Sequence, residues 1–168
     1  ESRNQGSIIS LTNHMKSSIW GTKLKNSLEI EDALITLGLD SSARNWKGRK
    51  YNSTLTIDTT SLASTDTTNK AIFAKVEKTF GKLDLEFGTR YDYIDVDTAD
   101  STKSDKKYTS LNANIFAIYN VNEDTKYFAG IGKSSRVPDA RELYYEGSGN
   151  SELEDTKNYE ADLGFEKT

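Results

Sequence analysis

The sequence predicts an all-β chain, an antiparallel up-and-down meander of roughly seven strands arranged as a transmembrane β-barrel wall. Three observations carry that reading. Apolar and polar residues alternate with period two over long stretches, although only 35% of the 168 residues are hydrophobic and mean hydropathy is -0.70. Tight turns and long polar links alternate along the chain. Aromatic residues gather near strand ends rather than strand middles.

Composition narrows the classes further. The net charge is -4, and Lys and Arg form no basic stripe, so nucleic acid is not an expected partner. There is no Cys, which excludes disulfide frameworks and thiolate metal sites. Nine Tyr, six Phe and two Trp at regular positions argue against disorder. No apolar run reaches ~18 residues, so no transmembrane helix is predicted, whereas a barrel strand needs only ~9–11 alternating residues. The opening ESRNQGS carries no signal-peptide pattern and the closing NYEADLGFEKT has strand character, so a piece of a longer chain is expected.

The elements follow in order. SIISL, Ser7–Leu11, is a short candidate strand, and SIWGTKLKNSLEI, Ser18–Ile30, a longer one. ALITLGLDSSARNW, Ala33–Trp46, is rich in β-formers but alternates less cleanly. Asn45–Asn69 reads as a long polar link, its Thr/Ser-rich half Asp58–Asn69 lacking any packing face. KAIFAKVEKTF, Lys70–Phe80, places Ile72, Ala74, Val76 and Phe80 opposite Phe73, Lys75, Glu77 and Thr79. LDLEFGTRYDYIDVD is the clearest strand. Leu83, Leu85, Phe87, Thr89, Tyr91 and Tyr93 share one face, and Asp84, Glu86, Gly88, Arg90 and Asp92 the other. In YTSLNANIFAIYNV, Leu111, Ala113, Ile115, Ala117, Tyr119 and Val121 oppose a polar face on which Phe116 and Ile118 are exceptions. KYFAGIGKS, Lys126–Ser134, and NYEADLGFE, Asn158–Glu166, complete the set, with Thr98–Lys107 and Tyr144–Asn158 as further long links and no helix.

In a meander, alternate links emerge at opposite ends of the strands. One end then carries tight turns and the other long loops, as in outer-membrane barrels. Phe80, Tyr119 and Tyr127 fall at the turn end and Tyr91 and Tyr93 toward the loop end, as two interfacial girdles would. A soluble sheet with one face packed on a core shares the alternation but does not require that asymmetry. Two alternatives therefore stay open beside a large barrel wall: a smaller outer-membrane barrel acting as adhesin or pore, and a soluble β-barrel or sandwich binding module.

The stretch from Tyr127 to Lys167 resembles the late-barrel segment of TonB-dependent outer-membrane receptors. The matching residues are Arg136 and Pro138, then Glu142, Leu143 and Tyr144, then Asn150 and Leu153, then Tyr159, Glu160 and Gly164. Where relatives often continue the Asn-x-x-Leu element with Lys-Pro-Glu, this chain has Glu154 and Asp155. The resemblance implies a ~22-stranded plugged barrel in the bacterial outer membrane. It also implies outer-membrane lipid, a plug domain and TonB as partners, and a scarce ligand such as an iron–siderophore or other metal chelate. Residues 1–168 are then expected to be one partial barrel domain, with the plug and the remaining strands outside it.

Site residues follow from that placement. Pro138 lacks an N–H and marks the end of regular pairing. Beyond it, Arg136, Arg141, Tyr144 and Tyr145 are candidate ligand contacts near the barrel mouth, because Arg suits carboxylate and phosphate geometry. Asp84, Glu86, Arg90, Asp92, Asp139 and Glu142 read as a structural network facing the lumen, the usual role of ion pairs in polar interiors. The only His and the only Met, His14 and Met15, are acceptable copper ligands but adjacent, so on a strand they point to opposite faces. No cofactor is implied. There is no phosphate loop, zinc spacing or nucleophile elbow, and no enzyme is expected.

Overall fold

The structure, a computed structural model, describes residues 11–52 and 58–168. One sheet in the order β1-β2-β3-β4-β5-β6-β7 holds all its strands, and every neighbouring pair is antiparallel. The strands are β1 (Leu11–Ile30), β2 (Ala33–Asn52), β3 (Asp58–Phe80), β4 (Leu83–Thr98), β5 (Lys106–Asn122), β6 (Thr125–Arg136) and β7 (Thr156–Lys167). A single turn of helix, α1 (Ala140–Tyr144), lies between β6 and β7. The expected meander is therefore present, and among the described residues it forms a single sheet.

Two expectations are corrected. The region Asn45–Asn69 is mostly strand, since β2 runs to Asn52 and β3 begins at Asp58; only 53–57 separate them, outside the described residues. In the same way, Ser7–Ser10 of the first candidate strand lie outside the described residues, and Leu11 opens β1. Thr favours extended backbone, and side chains of this segment do pack: Ser61, Leu62 and Thr65 are buried. The second correction is α1, a helix where none was expected. It is too short for hydrophobic periodicity to reveal, and its signal is instead the capping box Asp139-Ala140-Arg141-Glu142.

Register aligns like with like across the sheet. One row of the apolar face reads Leu28, Ile35, Val76, Phe87, Ile115, Ile131 and Ala161 from β1 to β7. Another reads Leu24, Leu39, Ile72, Tyr91 and Leu111, and most of these large side chains are exposed. At the turn end Tyr119, Tyr127 and Phe165 stand side by side, with Phe80 nearby opposite Leu83. From Leu83 to Tyr93 the apolar face of β4 runs over eleven residues, roughly 34 Å along the strand. Tilted at ~45°, that spans ~24 Å, the height of an outer-membrane apolar band.

The polar face accounts for Phe116, one of the two exceptions to the alternation of β5. Phe73, Phe116 and Phe128 lie on it, each over a glycine of an adjacent strand: Gly38, Gly130 and Gly164. A Cβ at any of the three would collide with the ring. The rings therefore lie flat on the wall instead of projecting from it, and Phe116 stacks on Phe128 at 6.0 Å.

Candidate functional site

The polar face carries two connected groups of side chains. The first is ionic and lies midway along the strands. Asp40 of β2 and Asp92 of β4 occupy one register row with Ala71 between them. Because Ala71 is small, Arg90 reaches both: its Nε and Nη2 donate to Asp92 at 3.0 and 2.8 Å, and Nη1 to Asp40 Oδ2 at 3.1 Å. Asn69 Nδ2 donates to Asp92 at 3.0 Å, and Lys23 lies 3.8 Å from Asp40. Closer to the turns, Lys75 bridges Glu86 at 2.8 Å and Glu77 at 3.1 Å, while Asp84 accepts from Thr79 at 2.6 Å and Asn120 at 2.8 Å. Asp84, Glu86 and Asp92 thus each have a partner on a neighbouring strand, and Arg90 reaches past β3 to β2. Asp40 was not foreseen, because it meets Arg90 only through a strand pairing across fifty positions of sequence.

The second group is at the loop end and is mostly apolar. There the inner face of the strands carries Leu62, Ile94, Val96 and Tyr108, all buried. What covers them is the β6–β7 connection, which folds back over the sheet and inserts Ala140, Leu143 and Tyr144. Shifts in the β2–β3 register between Trp46 and Arg49 re-aim this part of the strands. Gly48 sits at the shift, where the space of its missing side chain is taken by Met15, Ser61 and Leu62.

α1 is tied down at several points. Asp139 Oδ1 accepts from Arg141 N at 2.8 Å and Glu142 N at 3.0 Å, and Glu142 Oε2 accepts from Asp139 N at 2.8 Å. Arg136 then grips the Glu142 carboxylate with both Nη atoms, each at 2.8 Å. Tyr144 donates from its hydroxyl to Ser104 O in the β4–β5 loop at 2.8 Å, and Tyr108 donates to Leu153 O at 2.8 Å. A backbone bond from Glu146 N to Ser61 O at 2.9 Å joins the connection to β3.

These contacts sort the four candidate ligand residues. Arg136 is occupied by Glu142, and Tyr144 is buried with its hydroxyl bonded. Arg141 is exposed, and its Cζ lies 5.5 Å from the centre of the Tyr145 ring. Lys50 Nζ lies 5.1 Å from the same centre and 3.3 Å from Glu146. The Tyr145 hydroxyl accepts from Asn13 Nδ2 at 3.0 Å. Tyr145 is therefore a ring with two cations near it, Lys50 from β2 and Arg141 from α1, and among the described residues the Arg141 side chain makes no hydrogen bond. His14 and Met15 do fall on opposite faces: His14 packs edge-on to Tyr51 at 5.4 Å, and Met15 packs against the apolar cluster. Among the described residues no group of three or more His, Cys, Asp or Glu side chains could hold a metal ion.

Two titrations bracket the stability of this connection. The bond from Arg136, then that from Asp139 N–H, holds the Glu142 carboxyl down at about 2 against an ordinary value of 4.5. Its contribution is complete above the ordinary value and is lost as pH falls through about 2. Burial, then the charges of Tyr108, Asp105 and Asp97, pushes the Tyr144 phenol up to about 12 from 10.0. That contribution is complete below the ordinary value and is lost as pH rises through about 12. A nitroxide at residue 148, on a Ser148→Cys variant, should be immobilised at neutral pH and loosen in both windows. Adding Glu142→Gln should remove the acid transition and keep the alkaline one. A spectrum unchanged at both extremes would show that these two groups do not hold the connection.

Comparison with known proteins agrees with this architecture. A family model described as "TonB dependent receptor-like, beta-barrel" matches residues 3–167. No curated protein matches the chain. Among solved structures, the copper transporter OprC superposes with a TM-score of 0.77 at 17% identity over 94% of this chain. The FrpB iron transporter from Neisseria meningitidis, in its F3-3 variant, gives 0.69 at 16% over 93%. The apoprotein of its F5-1 variant gives 0.68 at 13% over 93%. The chain spans 28%, 26% and 27% of these three structures' own lengths.

Proposed function

Since the chain belongs to the TonB-dependent receptor β-barrel family, a family of bacterial outer-membrane receptors and not of enzymes, we propose that it forms part of the wall of a receptor importing a scarce metal-bearing ligand. The observation that carries the reading is the two-faced sheet. Its outward face is a continuous apolar band bounded by aromatics, and its inward face is ionic and hydrogen-bonded. Two of the similar structures are transporters of copper and of iron by name, which favours a metal or metal chelate as cargo, with an iron–siderophore as one such chelate. In this reading residues 1–168 supply about a third of a ~22-stranded barrel. A plug domain fills the lumen, and TonB supplies the energy from the periplasmic side.

Ligand recognition falls to Arg141 and Tyr145, with Lys50 beside them. A chelate bearing carboxylate or catecholate oxygens would take hydrogen bonds from Arg141 and stack on the Tyr145 ring. Arg136 and Tyr144 support that pair from behind instead of touching the cargo. In a binding assay with a ferric chelate, Arg141→Ala should weaken affinity by roughly tenfold, the loss of one charge-assisted hydrogen bond. Arg141→Lys should recover only part of it. Unchanged affinity in Arg141→Ala and Tyr145→Ala together would remove the site from this position.

A further inference from the structure

The outward face of β1 and β2 changes character abruptly above the apolar band. Below, the face presents Leu28, Leu24 and Trp20 on β1, with Ile35, Leu37 and Leu39 on β2. Above Trp20, the register sets Lys16 directly opposite Lys47 and His14 directly opposite Arg49. Lys16 and Lys47 are like charges facing each other across a ladder, so their pairing costs stability unless an anion sits between them. Arg49 has one carboxylate partner, Asp58 at 3.4 Å, and both side chains are largely exposed. Among the described residues no carboxylate lies within ion-pair distance of Lys16 or Lys47. These four side chains, with Thr60, line one shallow depression.

Position identifies the anion. Lys16 is four residues beyond Trp20, roughly 13 Å along the strand and ~9–10 Å along the membrane normal at the usual tilt. Trp marks the boundary of the hydrocarbon, and the headgroup layer extends ~5–8 Å past it. Lys16 and Lys47 therefore start just above that layer, and their long side chains reach back down toward the bilayer to put their charges among lipid phosphates. Resting on the wall reading above, we infer that Lys16, Lys47 and Arg49 form a binding site for a phosphate-bearing lipid headgroup of the outer leaflet. The lipid supplies the missing counter-charge and secures this sector of the wall at a fixed depth.

The test places the barrel carrying this chain in bilayers of phosphatidylcholine with and without phosphatidic acid. Retained lipid is then counted by native mass spectrometry after detergent extraction. Phosphatidic acid should be retained over phosphatidylcholine by roughly tenfold, and the triple variant K16Q/K47Q/R49Q should lose most of that preference. The interior variant Lys75→Gln should keep it. Heat-modified gel migration establishes that each variant is folded, and K47Q alone serves if the triple variant is not. No preference in the parent, or full preference in the folded variant, overturns the site. Displacement of the lipid by inorganic phosphate would make it a free-anion site and also overturn the assignment. A nitroxide on Leu39→Cys separates the two levels: oxygen-accessible in the bilayer with no phosphate preference, only the headgroup site fails; shielded from lipid, the wall reading fails with it.

Discussion

Replacing Phe87 by Arg should cost the folded barrel about 2–4 kcal/mol in a bilayer, the penalty of a cation near the hydrocarbon midplane. Phe87 lies between Leu83 at the turn girdle and Tyr93 at the loop girdle, and its row neighbours are Val76 and Ile115. It is 47% exposed within a contiguous face of exposed apolar residues that includes Ile72, Tyr91, Ile115 and Ile131, a patch suited to lipid or another apolar surface. The matched control is Asn114→Arg, on the opposite face of the sheet but one register row away, since Asn114 pairs with Gly88. On the wet face that change should stay within about 0.5 kcal/mol. Urea unfolding in lipid vesicles reads both as midpoint shifts at constant slope. Equal costs for the two would mean that the faces do not see different solvents, and the membrane assignment would fall.

The contrast between these two residues also shows what was legible in the sequence. Where a strand crosses hydrocarbon, lipid demands apolar side chains on one face and the interior accepts polar ones on the other, so β4 and β5 announce themselves by alternation. Above the membrane that demand ends on the outward face. Both faces of the upper β3 are then built from Thr, Ser and Asp, and the segment Asp58–Asn69 reads as a linker while being a strand with buried Leu62. Partnerships set by register are equally hidden. Nothing local connects Asp40 to Arg90, and only the row through Ala71 brings them together. The local signals at the site were readable: Pro138 does follow the last residues of β6, and Asp139 with Glu142 spells a capping box. What those signals could not show is the direction of the connection, inward over the sheet, because that depends on Leu62, Val96 and Tyr108 offering an apolar seat from three distant stretches of chain.

That seat makes Leu143 the residue whose loss should matter most at the loop end. Its side chain is fully buried, in a cluster with Leu62, Val96, Tyr108 and Tyr144. Leu143→Ala should cost about 2–5 kcal/mol through lost burial and the cavity left behind. The energy holds the connection onto the sheet, whereas the sheet itself is held by its ladders and by lipid. The expected result is therefore a local opening with little change in the urea midpoint of the barrel. Trypsin cleavage after Arg141 reads that opening directly, because cleavage tracks the open population when reclosing is fast. It should accelerate by roughly 30-fold or more. Leu143→Met keeps the volume and should change the rate far less. If the barrel midpoint falls and cleavage does not change, the cluster is a core shared by wall and connection, and α1 cannot move without unfolding the strands beneath it. If cleavage rises alone, α1 is a docked element on a rigid wall, and Arg141 and Tyr145 keep their positions only while Leu143 stays seated.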